Sequence, residues 1–527
     1  MEKTNITINK ESSKINLLWS PYSRRLRIAI LLALALGIEG LMRSNINMAM
    51  ICMIKNKSPK SQEVGSYNFT EYDKKCMYEN GNNNTSLIRH YEGEFEWSGQ
   101  EQSLIFTSFY LGGLFSVIPG AYLCTRFGSK YVVFWGAVLN VAGTFLTPLT
   151  AKYLGPYAVL VLRFIMGTGQ GILVPCMNVL IADWFPMFEK SMAVAIATTG
   201  NQISVITALF LTAELCQIKI LGGWPAAFYV YAIIGTFFCT IWFLYVIDRP
   251  ELDKKITQAE INFINGNKKR VINVSQNNTI PWKKILTSST VLAASLNSFA
   301  QNFFNVGLVT YIPLYYKTVL RANLTSNGIM SALPFIVQLV TKITFATMAD
   351  YLKKNMIMSN TNVTKMFNFI GSIGASILIF LVTYFDCENK LMAVVLIMMS
   401  VGMSSGYIPG YNTSIVCIAP KYTAVVGSYC RMWAQFASVM APFTIGLLVK
   451  SNNPDDWKYV FYILTALLFL CGIHFQIYGS SSPMGWAKIE VQDEQLGEPL
   501  QNTIALDEAV DNTICKSDNE LKNLKVN

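Results

Sequence analysis

The feature that most limits this chain is a recurring apolar run of about twenty residues, the length a helix needs to cross a hydrocarbon core ~30 Å thick. Twelve such runs follow one another, near 26–53, 102–124, 131–150, 156–181, 191–213, 226–247, 285–316, 328–349, 366–385, 391–416, 425–449 and 459–478. Lipid offers no partner for a backbone N–H or C=O, so each run must pair its own and become a helix. The expected fold class is an all-α membrane protein with twelve transmembrane helices.

Composition agrees where it matters. Charged residues make up 14% of the chain, against ~25% in soluble domains. The formal charge of +10 is scattered over turns between runs, where it reports membrane orientation rather than nucleic-acid binding. Two histidines, His90 and His474, and eleven cysteines without a CxxC pair leave no metal spacing and no nucleophile–base pair. The chain is therefore not read as an enzyme, and no cofactor is expected beyond a coupling ion, sodium or proton. Cys76, Cys216 and Cys387 fall in expected outer loops, where a disulfide is open.

Five segments organise the sequence. Residues 1–25 form a tail with no signal peptide, and Arg24, Arg25 and Arg27 flank the first span, placing the tail in the cytoplasm. Residues 26–247 hold six spans, interrupted by a polar loop at 55–100. That loop carries the glycan acceptor sites Asn68, Asn83 and Asn84, usable only if it faces the lumen or exterior. Residues 248–284 read as a basic cytoplasmic linker, 285–479 as six further spans, and 480–527 as a polar, disordered tail. An internal repeat divides the chain: Ala121-Tyr122-Leu123-Cys124-Thr125-Arg126 matches Ala346-Thr347-Met348-Ala349-Asp350-Tyr351, and Trp224 with Phe228-Tyr229 matches Trp457 with Phe461-Tyr462. Offsets of 225 and 233 residues indicate one duplicated six-helix unit.

Ionisable residues inside these runs point to function. Arg163 lies in the fourth span, and an arginine in hydrocarbon costs roughly 2.5–3.5 kcal/mol on insertion scales, so it turns toward a bundle interior or wet cavity. Glu39 and Arg43 sit four residues apart on one face of the first span. Arg43 is expected to face a substrate route, with Glu39 partly neutralising it. Lys342 and Arg431 add cations in the second half, making the interior net positive and attractive to a carboxylate or phosphate. Gly167, Gly169 and Gly171 follow Arg163. No strand precedes them, so they read as a helix-packing stripe and not as a dinucleotide loop.

Together these residues resemble the major facilitator superfamily, and within it the anion transporter family of sialin, the vesicular glutamate transporters and the sodium/phosphate cotransporters. The resemblance covers about residues 20–480. It rests on Arg43 with Asn45, the hairpin from Pro119-Gly120 through Gly128 and Lys130, and Thr147-Pro148. It continues through Arg163, Gly167, Gly171 and Pro175, then Trp184-Phe185-Pro186-Met187-Phe188-Glu189-Lys190, Gly223-Trp224, Ala349-Asp350-Tyr351 and Ala419-Pro420-Lys421-Tyr422. It implies alternating access, with Arg126, Lys130 and Asp350 in gating hairpins. Two departures matter. The glutamate that proton-coupled members carry seven residues after the fourth-span arginine is Gln170 here, which cannot exchange a proton. The seventh-span arginine of the glutamate transporters aligns with Gln301, and their second-span histidine with Phe106.

The leading expectation is a secondary active transporter of organic or inorganic anions (phosphate, a sugar acid or an acidic amino acid). Arg43, Arg163, Gln301 and Arg431 would bind the anion, with Glu39 and Gln170 at the coupling position. The competing class is a non-transporting sensor or scaffold on the same fold. Expected surroundings are a small anionic substrate and the lipid bilayer, at the plasma membrane or an endolysosomal or vesicular membrane, as a monomer and without nucleic acid.

Overall fold

The structure, a computed structural model, describes residues 23–55, 93–186, 189–218, 222–258, 260–264, 281–449 and 454–487. Twelve long helical rods account for most of the described residues. The first six are α1 (Arg24–Met53), α2 (Gly99–Phe127), α3 (Ser129–Tyr153), α4 (Pro156–Trp184), α5 (Lys190–Leu215) and α6 (Pro225–Tyr245). The second six are α7 (Ser289–Thr318), α8 (Leu324–Lys354), α9 (Asn360–Tyr384), α10 (Lys390–Cys417), α11 (Thr423–Leu448) and α12 (Pro454–Tyr478). Among the described residues, α3, α4, α5, α6, α8, α9, α10 and α12 are long and apolar enough to cross a bilayer by length and composition. The remaining four rods carry much of the polar interior: Glu39 and Arg43 on α1, Ser103 and Thr107 on α2, Asn297, Gln301 and Asn305 on α7, Arg431 and Gln435 on α11.

The duplication is visible in the helix lengths. The rods α1 and α7 each have 30 residues, α3 and α9 each have 25, and α5 and α11 each have 26. The two six-helix halves are thus one unit built twice, the arrangement of parallel repeats about an axis along the membrane normal. We call the face that carries Arg24, the linker and Ala487 the tail side, and the opposite face the loop side.

Local chemistry explains the boundaries. A capping box of Ser98 and Glu101 opens α2, while Asn323 and Ser359 cap α8 and α9; each cap satisfies an N–H that the helix leaves without a partner. Gly128, at φ +84°, makes the turn between α2 and α3. Asp248, at the end of α6, then accepts the Lys130 backbone N–H at 2.6 Å, capping α3 from the far end of the half. Glycines set the closest packing. A Cβ on Gly167 or Gly171 would collide with the α2 backbone at Phe109 or Gly113, while one on Gly169 would meet Gly136 O of α3 at 2.8 Å. Alternate glycines therefore seat α4 against two neighbours at once.

Several expectations are corrected. The seventh span does not begin at 285: a six-residue helix, Trp282–Thr287, ends at Ser288, and α7 starts afresh at Ser289. Residues 480–487 are not a free tail. Met484 N–H donates to Ile418 O at 2.9 Å, Trp486 stacks near Tyr422, and Ala487 is fully buried, so the second half extends to Ala487. A disulfide that the sequence did not suggest joins Cys124 of α2 to Cys176 of α4 inside the bundle. Cys387 is also disulfide-bonded and Cys216 is free, while Cys76 and the glycan sites Asn68, Asn83 and Asn84 lie outside the described residues.

The apolar core is divided by depth. On the loop side one cluster is shared by both halves, running from Ile46, Phe106 and Leu209 to Phe304, Tyr311 and Trp457. On the tail side the cores are separate, one in the first half around Trp184, Phe185 and Trp242 and two in the second, around Ile418, Val426 and Phe475 and around Ala349, Val363 and Phe367. The halves are sealed together on the loop side and parted on the tail side, which leaves a cleft open toward the chain termini.

Candidate functional site

The cleft ends at mid-depth in a polar level built from six helices, α1, α4, α5, α7, α8 and α10. Arg43 of α1 is half-buried there, and its guanidinium donates to Asn201 Oδ1 of α5 at 2.8 Å. Arg163 of α4 lies just beyond, only 2% exposed. It donates to two carbonyls of α1, Arg43 O at 3.0 Å and Met42 O at 3.4 Å. Its guanidinium carbon sits 4.5 Å from the centroid of the Phe109 ring. Arg163 thus faces the bundle interior and fixes the stretch of α1 that presents Arg43, while its Nε has no partner. That geometry combines charge-assisted hydrogen bonds with a cation–π contact.

Glu39 stands one turn from Arg43 but forms no ion pair with it among the described residues. It is buried, its Oε2 lacks a hydrogen-bond partner, and its electrostatic neighbours are Arg43 and Cys239 of α6. Its carboxylate therefore lies toward the interior of the first half, and Arg43 is left with an uncharged partner. Neither Arg163, Lys342 nor Arg431 forms an ion pair within 4.0 Å among the described residues either. Arg43, Arg163, Lys342 and Arg431 outnumber the one buried carboxylate, Glu39, which acts on Arg43 electrostatically but not at ion-pair distance, so these groups sum to a positive field, strongest where water is scarce.

The second half supplies neutral groups. Gln338 of α8 donates to Asn305 Oδ1 of α7 at 3.1 Å and to Ser404 Oγ of α10 at 3.2 Å, and it accepts from Gln202 of α5 at 2.6 Å. Gln301 of α7 is buried with its Nε2 unpaired. Gln170 is half-buried two turns along α4 from Arg163. Arg431 is exposed on α11, one turn from Gln435 toward the tail side. The structure brings Arg43 and Arg163 together and leaves Arg431 apart from them, with Tyr411 as its electrostatic neighbour.

The gating candidates sit at the tail-side rim. Arg126 donates to Tyr122 Oη at 3.2 Å, and the Lys130 ammonium lies 5.1 Å from the Phe243 ring centroid. Asp350 is exposed at the end of α8. Nearby, Arg25 is fully buried and donates to both Glu189 and Glu260, the latter at 3.2 Å, with Phe263 4.6 Å beneath it. Burial pushes the Glu189 carboxyl above the usual glutamate range, and Arg25 opposes that shift. Arg25 is thus a structural clasp between α1, the α4–α5 turn and the linker, although as sequence it reads only as a flanking positive charge. Asn201, Gln202, Gln338, Asn305 and Phe109 were also not singled out from the sequence. A period-matched pair of polar residues in the fifth span, Asn201-Gln202, is the signal that marks them.

Similarity to known proteins agrees with this geometry. The Major Facilitator Superfamily matches residues 32–442. An uncharacterized transporter of Caenorhabditis elegans, slc-17.3, is 29% identical over 94% of this chain and 96% of its own length. Human sialin is 26% identical, covering 88% of this chain and 91% of its own length, and bovine vesicular glutamate transporter 1 is 25% identical over 90% and 80%. Among solved structures, a bacterial homolog of the human lysosomal transporter Spinster, inward-facing and occupied, superposes with a TM-score of 0.62 at 11% identity, over 87% of this chain and 97% of that one. The inward-open xylose transporter XylE of E. coli gives 0.59 at 15%, over 91% and 98%. The chain belongs to the major facilitator superfamily.

Proposed function

We propose that this protein is a secondary active transporter of organic or inorganic anions, working by alternating access between its two halves. The observation that carries the reading is Arg43: a cation at the closed end of the cleft, held by a neutral amide and not by a carboxylate. A group held this way has hydrogen-bond capacity and charge left for a ligand. Arg163 sets the α1 carbonyls behind it and adds field without being spent on an acid. The buried, unpaired Gln301 amide of α7 is a neutral donor in the other half that suits a remaining oxygen of a phosphate, a sugar acid or an acidic amino acid. Gln170 cannot exchange a proton, so proton coupling, where it occurs, falls to Glu39, a buried carboxylate in the first half. Sodium or membrane potential are the other drives, and potential alone supplies about 2.3 kcal/mol per charge per 100 mV.

Uptake of labelled phosphate, sialic acid and glutamate into proteoliposomes tests the proposal, with sodium, proton and potential gradients imposed one at a time. Saturable uptake of one of these anions, lost in Arg43→Ala, is expected. A purified, correctly folded protein that moves none of them under any gradient would instead favour the sensor reading.

A further inference from the structure

Two hydrogen bonds between the halves are related by the internal repeat. Gln202 Nε2 of α5 donates to Phe335 O of α8 at 3.4 Å, and Gln435 Nε2 of α11 donates to Tyr110 O of α2 at 3.5 Å. Gln202 and Gln435 stand at the same place in helices of equal length, which begin at Lys190 and Thr423. Phe335 and Tyr110 likewise occupy matching places in α8 and α2, which begin at Leu324 and Gly99. The same amide, on the same turn of the duplicated helix, reaches the same carbonyl of the duplicated partner on both sides of the cleft. One bridge is reinforced, since Gln202 also donates to Gln338 Oε1 at 2.6 Å. The counterpart of Gln338 in α2 is Gly113, where an added Cβ would lie 3.2 Å from Gln435 Nε2.

Depth gives these bonds their meaning. Among the described residues they are the inter-half hydrogen bonds nearest the tail side. The others, Gln217 to Thr325, Ser103 to Pro442 O, Asn47 to Val309 O and Lys317 to Ile51 O, all lie nearer the loop side. The two bridges therefore mark the boundary between the sealed half of the interface and the open cleft, one at each edge. Two points define a line, and a rigid rotation about that line displaces atoms in proportion to their distance from it. We infer that Gln202 and Gln435 are the pivots of the rocking motion, keeping their bonds while the loop-side seal opens and the tail-side cleft closes. An apolar contact would let the halves slide, whereas a hydrogen bond is directional and costly to leave unmade away from water. The glutamines are positioning residues, and the inference rests on the alternating-access reading.

Spin labels carried on noncanonical amino acids, at Phe127 with Tyr351 on the tail side and at Tyr153 with Tyr384 on the loop side, follow the two mouths by distance measurement; all four positions are exposed. Cross-linking cysteines at 202 and 338 with a short bifunctional thiosulfonate is expected to leave both distance populations in place. The same link between 217 and 325 is expected to collapse them to the tail-open one. In Gln202→Leu and Gln435→Leu, without any cross-link, the ratio of populations is expected to stay within about twofold of the parent protein. A bond made in only one state would shift it roughly fivefold, the weight of an ordinary hydrogen bond. Collapse at the 202–338 link, or a fivefold shift in the leucine variants, overturns the pivots while leaving alternating access standing. A single population in the unlinked parent protein under all gradients overturns both.

Discussion

Replacing Arg163 by lysine separates charge from shape. The guanidinium donates to two carbonyls of α1, at 3.0 and 3.4 Å, while lying 4.5 Å over Phe109. A lysine keeps the charge, but its ammonium is a point donor that cannot span both carbonyls and stack on the ring. A hydrogen bond from a charged group is worth ~1.5–3 kcal/mol, and a desolvated cation–π contact about 2 kcal/mol at most. Losing one bond and most of the stacking removes roughly 2–3 kcal/mol of the restraint on the turn that aims Arg43, a factor of about 30–150 at 1.4 kcal/mol per decade. The assay is anion-dependent thermal stabilisation of the purified protein beside initial uptake rates in proteoliposomes. We expect Arg163→Lys to bind the transported anion more weakly by that factor. Arg163→Met loses both bonds, the ring contact and the charge, so its anion affinity should fall at least as far, while the change leaves no buried carboxylate unpaired. A lysine variant with unchanged affinity would refute the argument, since charge alone would then suffice.

Three further outcomes follow from the geometry. Gly167→Ala should cut folded yield and melting temperature, with an overpacking cost of about 1–3 kcal/mol. The reason is that its Cβ meets the Phe109 carbonyl of α2, whereas Gly485→Ala, with nothing within 4 Å, should be silent in the same thermal assay. The raised Glu189 carboxyl binds its proton more readily folded than unfolded, so its contribution favours the folded state at low pH. That contribution is lost as pH rises from the ordinary value of 4.5 through the raised one, and Glu189→Gln should remove this slope from the melting profile. Glu39→Gln should flatten the pH dependence of uptake, and a profile identical to the parent's would take Glu39 out of coupling.

Much of the architecture was legible because lipid leaves a chain few choices. Twelve apolar runs had to be helices, and the matching segments around Arg126 and Asp350 announced the duplication. The inward facing of Arg163 followed from what a charge costs in hydrocarbon. Partners were not legible, because they depend on which helix lies opposite. Glu39 and Arg43, one turn apart, read as a pair, yet Arg43 turns to Asn201 and Glu39 turns toward α6. Arg25 carries no mark that separates it from Arg24, although one is buried between two glutamates and the other is not. Cys124 and Cys176 meet only because glycines let α2 and α4 touch backbone to backbone. The glutamine bridges were within reach, since the repeat offset that relates Trp224 to Trp457 also relates Gln202 to Gln435.

The α2–α4 contact has a mechanical side. Glycines at 112, 167 and 171 bring the two backbones together and a disulfide ties them lower down, so the two helices move as one plate. One edge of that plate, at Tyr110, meets the opposite half at a pivot, and the other carries the arginine that steadies α1. Under the proposed alternating access, a tilt of α2 would therefore reach the turn of α1 that presents Arg43 without an intermediate lever.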